Sequence, residues 1–128
     1  MAKAKELKFR VPDRAGMLGE IAAALGEKKV NLRAISAWVE GTEGVVRIVV
    51  DRTAVAKKLL ASKGWAPEER EVLELELPDK PGALGAAATR LGKAGIYVTH
   101  VFVGTGGGRK ATVFLGVSDV AAAARAVR

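Results

Sequence analysis

Apolar and charged positions alternate along the chain in two places. Leu7, Phe9 and Val11 are separated by Lys8 and Arg10, and Leu73, Leu75 and Leu77 by Glu74 and Glu76. Alternation with a period of two predicts a strand with one apolar and one charged face. After each strand comes a Pro-Asp-basic-x-Gly turn, and the period then changes. Leu18, Ile21, Ala22 and Leu25 recur at helical spacing, as do Leu84, Ala87, Ala88 and Leu91. Each set predicts the core stripe of an amphipathic helix. Gly92 and Gly95 suit the end of the second of these helices. Two β-rich runs follow in each half, 32–39 with 45–50 and 98–103 with 111–117, across glycine-containing loops at 40–44 and 104–108. Strands joined by such short loops predict hairpins. In Val45-Val46-Arg47-Ile48-Val49-Val50, inward Val46, Ile48 and Val50 turn Arg47 outward. A second helix is predicted over 53–63 and again over 120–128.

The two halves are copies. The segment from Val11 to Leu32 aligns without a gap to the segment from Leu77 to Val98, at an offset of 66 residues. Pro12, Asp13, Gly16, Leu18, Gly19, Ala22, Leu25 and Gly26 recur as Pro78, Asp79, Gly82, Leu84, Gly85, Ala88, Leu91 and Gly92. The predicted units are residues 1–70 and 71–128. Each runs β-α-β-β-α, and a following strand would complete the ferredoxin-like split βαβ arrangement. The stretch 65–77 serves both units: its first part can close unit one, and its second part opens unit two. No closing strand is visible for unit two, whose edge is open, shared or lost. The fold class expected is α+β, two ferredoxin-like βαββαβ units in tandem, the second without its last strand.

Composition narrows the chemistry. The chain has 128 residues, no cysteine and a single histidine, His100. Disulfides, thiolate metal sites and cysteine nucleophiles are excluded, and a multi-histidine metal site is disfavoured. No metal and no cofactor is expected. The N-terminus has no apolar segment of signal-peptide length, and no run suits a spanning helix, so a soluble cytoplasmic protein is expected. The net charge of +7 favours an acidic partner such as nucleic acid, but residues 64–79 carry six acids against Arg70 alone. Aromatic residues make up 5% and are scattered, which disfavours the stacking strands of an RNA-binding module.

The turn motifs carry a resemblance. Asp79-Lys80-Pro81-Gly82, and less faithfully Asp13-Arg14-Ala15-Gly16, follow the first strands; Lys29-Val30-Asn31-Leu32 and Gly95-Ile96-Tyr97-Val98 open the second strands. This pair of markers, present twice at one offset, resembles the ACT domain, a small βαββαβ regulatory module of amino-acid metabolism. The resemblance covers nearly the whole chain and implies a stand-alone tandem-ACT protein, a binding module and not an enzyme. It implies a small amino acid bound where two ACT units meet, held by the turn and helix start on one side and by the second strand, often through an Asn, on the other. The first site so implied is Asp13, Arg14, Ala15, Gly16, Met17, Leu18 and Asn31. The second is Asp79, Lys80, Pro81, Gly82, Ala83, Leu84 and Tyr97. Unit one has Ala15 where the family has Pro, and unit two has Tyr97 where it has Asn. These departures favour one working site per chain, or a site that joins the turn of one unit to Asn31 of the other.

Plainer roles compete with these. The glycines shape a tight turn with or without a ligand, and Asp13 and Asp79 can hydrogen-bond the turn or cap the helices that follow. Trp38 suits core or dimer contact better than ligand stacking. The stretch from Gly104 to Lys110 lacks the Gly-Lys-Ser/Thr of a phosphate loop and reads as a hairpin loop. His100 aligns with Ala34 and reads as a structural or surface residue. The leading expectation is an amino-acid-sensing regulatory homodimer that acts on a separate protein. The alternatives are an ACT module kept only for dimerisation and, as a minor one, a nucleic-acid-binding ferredoxin-like protein.

Overall fold

The computed structural model describes residues 2–105 and 108–128. Its elements run β1 (Ala2–Pro12), α1 (Met17–Glu27), β2 (Leu32–Glu40), β3 (Glu43–Val50), α2 (Thr53–Ser62), β4 (Glu68–Pro78), α3 (Ala83–Lys93), β5 (Val98–Thr105), β6 (Lys110–Val117) and α4 (Val120–Ala126). Two compact bodies form, Lys5–Arg70, and Glu71–Arg128 together with Met1–Ala4. Each is α+β with the ferredoxin-like element order. The hairpin loop expected at 104–108 falls partly on residues 106–107, which lie outside the described residues.

In the body Lys5–Arg70, β3 is paired antiparallel to β1 on one side and to β2 on the other, so β2 runs at the edge. The register Leu7↔Ile48, Phe9↔Val46 places the apolar face of β1 beside that of β3. Against that face pack Met17, Ile21 and Leu25 of α1 and Ala56 and Leu60 of α2. Trp65 closes this core, its ring stacked on Phe9 with centroids 6.2 Å apart. The buried stripe of α1 differs from the one expected. Leu18 and Ala22 lie outside it, with Leu18 63% exposed, and Met17 takes the first core position. The helix begins one residue after Gly16, so Met17, Ile21 and Leu25 follow each other at four-residue steps on the sheet side. In α3, Ala87 and Leu91 are buried while Leu84 and Ala88 are exposed, for the same reason.

In the other body, β6 pairs antiparallel with β4 (Leu73↔Leu115, Leu75↔Val113, Leu77↔Ala111) and with β5. Its core holds those β4 and β6 residues with Ala87, Leu91 and, from α4, Ala123. The stretch 65–77 is resolved as one strand beginning at Glu68, with Trp65 before it. Among the described residues no strand follows α4. The start of β1 lies on the side of β4 away from β6, where a closing strand would sit, and Lys3 Nζ is 3.8 Å from Glu71 Oε1.

The faces turned away from the helices differ in chemistry. In the body Lys5–Arg70, Arg47 was expected to point to solvent. It does leave the helix side, but it is mostly buried there, and Nη1 donates to Glu6 Oε2 at 2.9 Å. Glu6 is fully buried, as are Val45 and Val49 on the same face. The guanidinium also lies over the Trp38 ring, 5.6 Å from its centroid. In the other body the positions of Glu6 and Arg47 are held by Val72 and Phe114, both buried. Phe114 stacks on Phe102 at 5.5 Å, and Phe102 on His100 at 6.2 Å.

Candidate functional site

The turn after β1 builds the first site residues. Gly16 occupies the position before α1 with φ +89°, and Gly82 the position before α3 with φ +86°. A side chain there would be strained, so glycine lets the chain swing from strand to helix within four residues. Neither helix has a side-chain cap, so Asp13 and Asp79 do not play the capping role considered for them. That role belongs to Asp119, which accepts from the Ala122 N–H at 3.0 Å at the start of α4.

A cleft of about 210 Å³ opens between this turn, the first turns of α1 and the edge strand β2. Asp13 and Arg14 stand among its lining as the charged side chains; Met17, Leu18, Ile21, Ile35, Ala37 and Val46 supply apolar walls. Arg14 Nη2 donates to Glu20 Oε2 at 2.6 Å, which fixes the guanidinium beside the helix start. Of the first predicted set, Asp13, Arg14, Met17 and Leu18 therefore meet here, with Ala15 and Gly16 forming the turn behind them.

Asn31 does not join them within this body. β1 and β2 flank β3 and run parallel to each other, and Val11 is opposite Gly44 while Leu32 is opposite Val50. Asn31 therefore precedes the far end of β2, about 26 Å of strand from Val39 at a rise of roughly 3.3 Å per residue. Its backbone closes the other end instead: its N–H donates to Asp51 Oδ1 at 2.9 Å and its carbonyl accepts from the Asp51 N–H at 3.2 Å.

The second set repeats the pattern on a smaller scale. Asp79, Lys80, Ala83 and Leu84 line a cleft of about 110 Å³ with Val103, Ala111 and Val113. Pro81 and Gly82 form the turn, and the Asp79 N–H donates to the Arg109 carbonyl at 2.8 Å. Tyr97 stands where Asn31 does, 70% exposed, its N–H on Ser118 Oγ at 3.1 Å.

Residues of β2 were missed from the sequence. Ile35, Ala37, Trp38 and Val39 line the first cleft, and a strand-to-turn approach of this kind has no local signature. Trp38 sits at the rim of an ionic cluster, where its indole N–H donates to Glu40 Oε2 at 2.9 Å and Arg10 Nη2 donates to Glu40 Oε1 at 3.2 Å. The Trp38 indole first, and then Arg10, holds the Glu40 carboxyl below the usual glutamate range. These bonds favour the charged form, so they persist above the ordinary glutamate pKa and are lost as pH falls through the lower, folded value. In a carbon-detected NMR titration the Glu40 carboxyl is expected to titrate below the ordinary glutamate range, with the Trp38 indole resonance following it. A Trp38→Phe variant should move the Glu40 midpoint back up.

The two bodies and the cleft at the strand-to-helix turn define a tandem α+β module of the ferredoxin-like kind. The ACT domain family model matches residues 5–62. The matched segment lies in the first body, and the same element order is repeated in the second. Among solved structures, protein BT0572 from Bacteroides thetaiotaomicron is similar over 97% of this chain and 85% of that one, at 22% identity and a TM-score of 0.89. The regulatory subunit of aspartate kinase from Thermus thermophilus, in its ligand-free form, is similar over 99% and 95%, at 15% identity and a TM-score of 0.72. The same subunit from Thermus flavus covers 98% and 90%, at 16% identity and a TM-score of 0.66. At these identities the likeness is one of fold. No curated protein sequence matches the chain. Among the described residues no helix is long and apolar enough to cross a membrane.

Proposed function

We propose that the chain is a regulatory module that binds a free amino acid at the turn after β1, and not an enzyme. The observation that supports this reading is the first cleft, where a rim bearing Asp13 and Arg14 adjoins apolar walls. Adjacent groups of opposite sign suit the ammonium and carboxylate of a zwitterion. The Thermus proteins of similar fold are regulatory subunits of aspartate kinase, which points the same way. Binding would shift a conformational or association equilibrium of a cytoplasmic homodimer, and a separate protein would respond to the shift.

A second reading, an ACT module used only for association, is favoured by the exposed apolar residues of edge strands β2 and β5, among them Val39, Val101 and Val103. A thermal-shift series against the twenty amino acids separates the two. A ligand at 100 times its Kd should add about 2.7 kcal/mol, a rise of several degrees in Tm. The rise is expected to disappear in Arg14→Ala. No rise with any amino acid transfers the reading to the association module.

A further inference from the structure

We propose that the cleft of the body Lys5–Arg70 selects amino acids with a large apolar side chain, and that the smaller matching cleft of the other body binds them more weakly. This deepens the amino-acid-binding reading above and rests on it. Beyond the rim formed by Asp13 and Arg14, the lining side chains, among them Met17, Ile21, Ile35, Ala37 and Val46, are apolar except for Trp38, whose indole N–H is already given to Glu40 Oε2. A hydroxyl, amide or charge placed among them would lose its water without gaining a partner. An apolar side chain gains by leaving water.

The two clefts differ in size. The first measures about 210 Å³. The second cleft, about 110 Å³, is roughly half as large. Its sheet side explains the difference. Val103 stands opposite Val113 where Ala37 stands opposite Val46, and Ala111 stands opposite Leu77 where Gly44 stands opposite Val11. Both exchanges add carbon to the floor of the second cleft.

Isothermal titration calorimetry on the full chain tests this with L-leucine, L-isoleucine, L-methionine and L-phenylalanine against L-alanine, L-serine, L-aspartate and L-lysine. One stronger site per chain is expected. Each added side-chain carbon should tighten binding about fourfold, so leucine should bind about 60-fold tighter than alanine. Ala37→Val copies the second body onto an exposed strand position and should weaken phenylalanine at least tenfold. Val103→Ala should leave the first site unchanged. Binding of serine, aspartate or lysine in preference, still weakened by Ala37→Val, overturns the apolar class and leaves the amino-acid reading standing. Two equal sites per chain overturn the inequality, and leucine binding indifferent to Ala37→Val overturns the placement. Absence of binding by all eight, with self-association in sedimentation velocity altered by Ala37→Val, assigns the cleft to a second copy of the chain and overturns both readings.

Discussion

Replacing Glu6 with alanine is expected to cost about 3–5 kcal/mol of stability, because it removes the buried carboxylate to which the mostly buried Arg47 guanidinium donates. Glu6 is 0% exposed and the Arg47 side chain 14%, and they meet at 2.9 Å. Ion pairs elsewhere in the protein behave differently. Lys110 and Glu76 are as close, at 3.0 Å, but both are more than half exposed, so their pair contributes at most about 1 kcal/mol. Urea denaturation of Glu6→Ala and Glu76→Ala should therefore give a large and a small loss. The second body offers the control, since Val72 and Phe114 occupy the same positions without charge. The double variant Glu6→Val with Arg47→Phe should recover most of the loss, as replacement of a buried pair by apolar residues is often neutral. A Glu6→Ala loss below about 1 kcal/mol would show that water reaches the pair and that its burial carries no energetic consequence.

Gly116→Val is expected to destabilise by about 3 kcal/mol, near the top of the range for overpacking. Gly116 has an ordinary backbone conformation, so the cause is space alone. A methyl at that position would run into the His100 ring, within 2.5 Å of Nδ1, and would lie 2.7 Å from Thr99 Oγ1. The ring is also held by its stacking on Phe102. In the other body the corresponding cross-strand pair is Ala34 with Val49, small facing large, where here His100 faces Gly116. His100→Ala combined with Gly116→Val would reproduce that pair and should restore most of the stability in thermal melts. If the single variant melts like the parent, the ring swings aside freely and does not pack.

The two exchanges show where reading the chain stops. Val46, Ile48 and Val50 mark one face of β3 from their alternation, and Arg47 and Val49 must then share the other. Alternation cannot say that the second face is also buried, because burial there depends on what lies over the strand. Nor does it show that Glu6, 41 positions away, is the partner of Arg47. The helix stripes were displaced by one position for a related reason. Leu18 has the right spacing to Ile21 and Leu25, but so does Met17, and the entry angle set by Gly16 decides which one meets the sheet.

Local pattern was sufficient for the elements, their order and their duplication. Alternation needs only neighbouring residues, and the turn needs only a glycine that tolerates positive φ. The turn itself was legible on the same grounds, while its place in a site came only from the family resemblance. What required the tertiary structure was every relation across strands. Asn31 and the turn look like one site in a linear motif, yet β1 and β2 run parallel, so one follows the end of β1 and the other precedes the start of β2. The apolar walls facing Met17 come from Ile35 and Ala37, and the size of each cleft turns on Gly44 against Ala111 and Ala37 against Val103. Strand pairing brings residues together by register rather than by sequence distance, so the shape of the cleft emerges only when the sheet has formed.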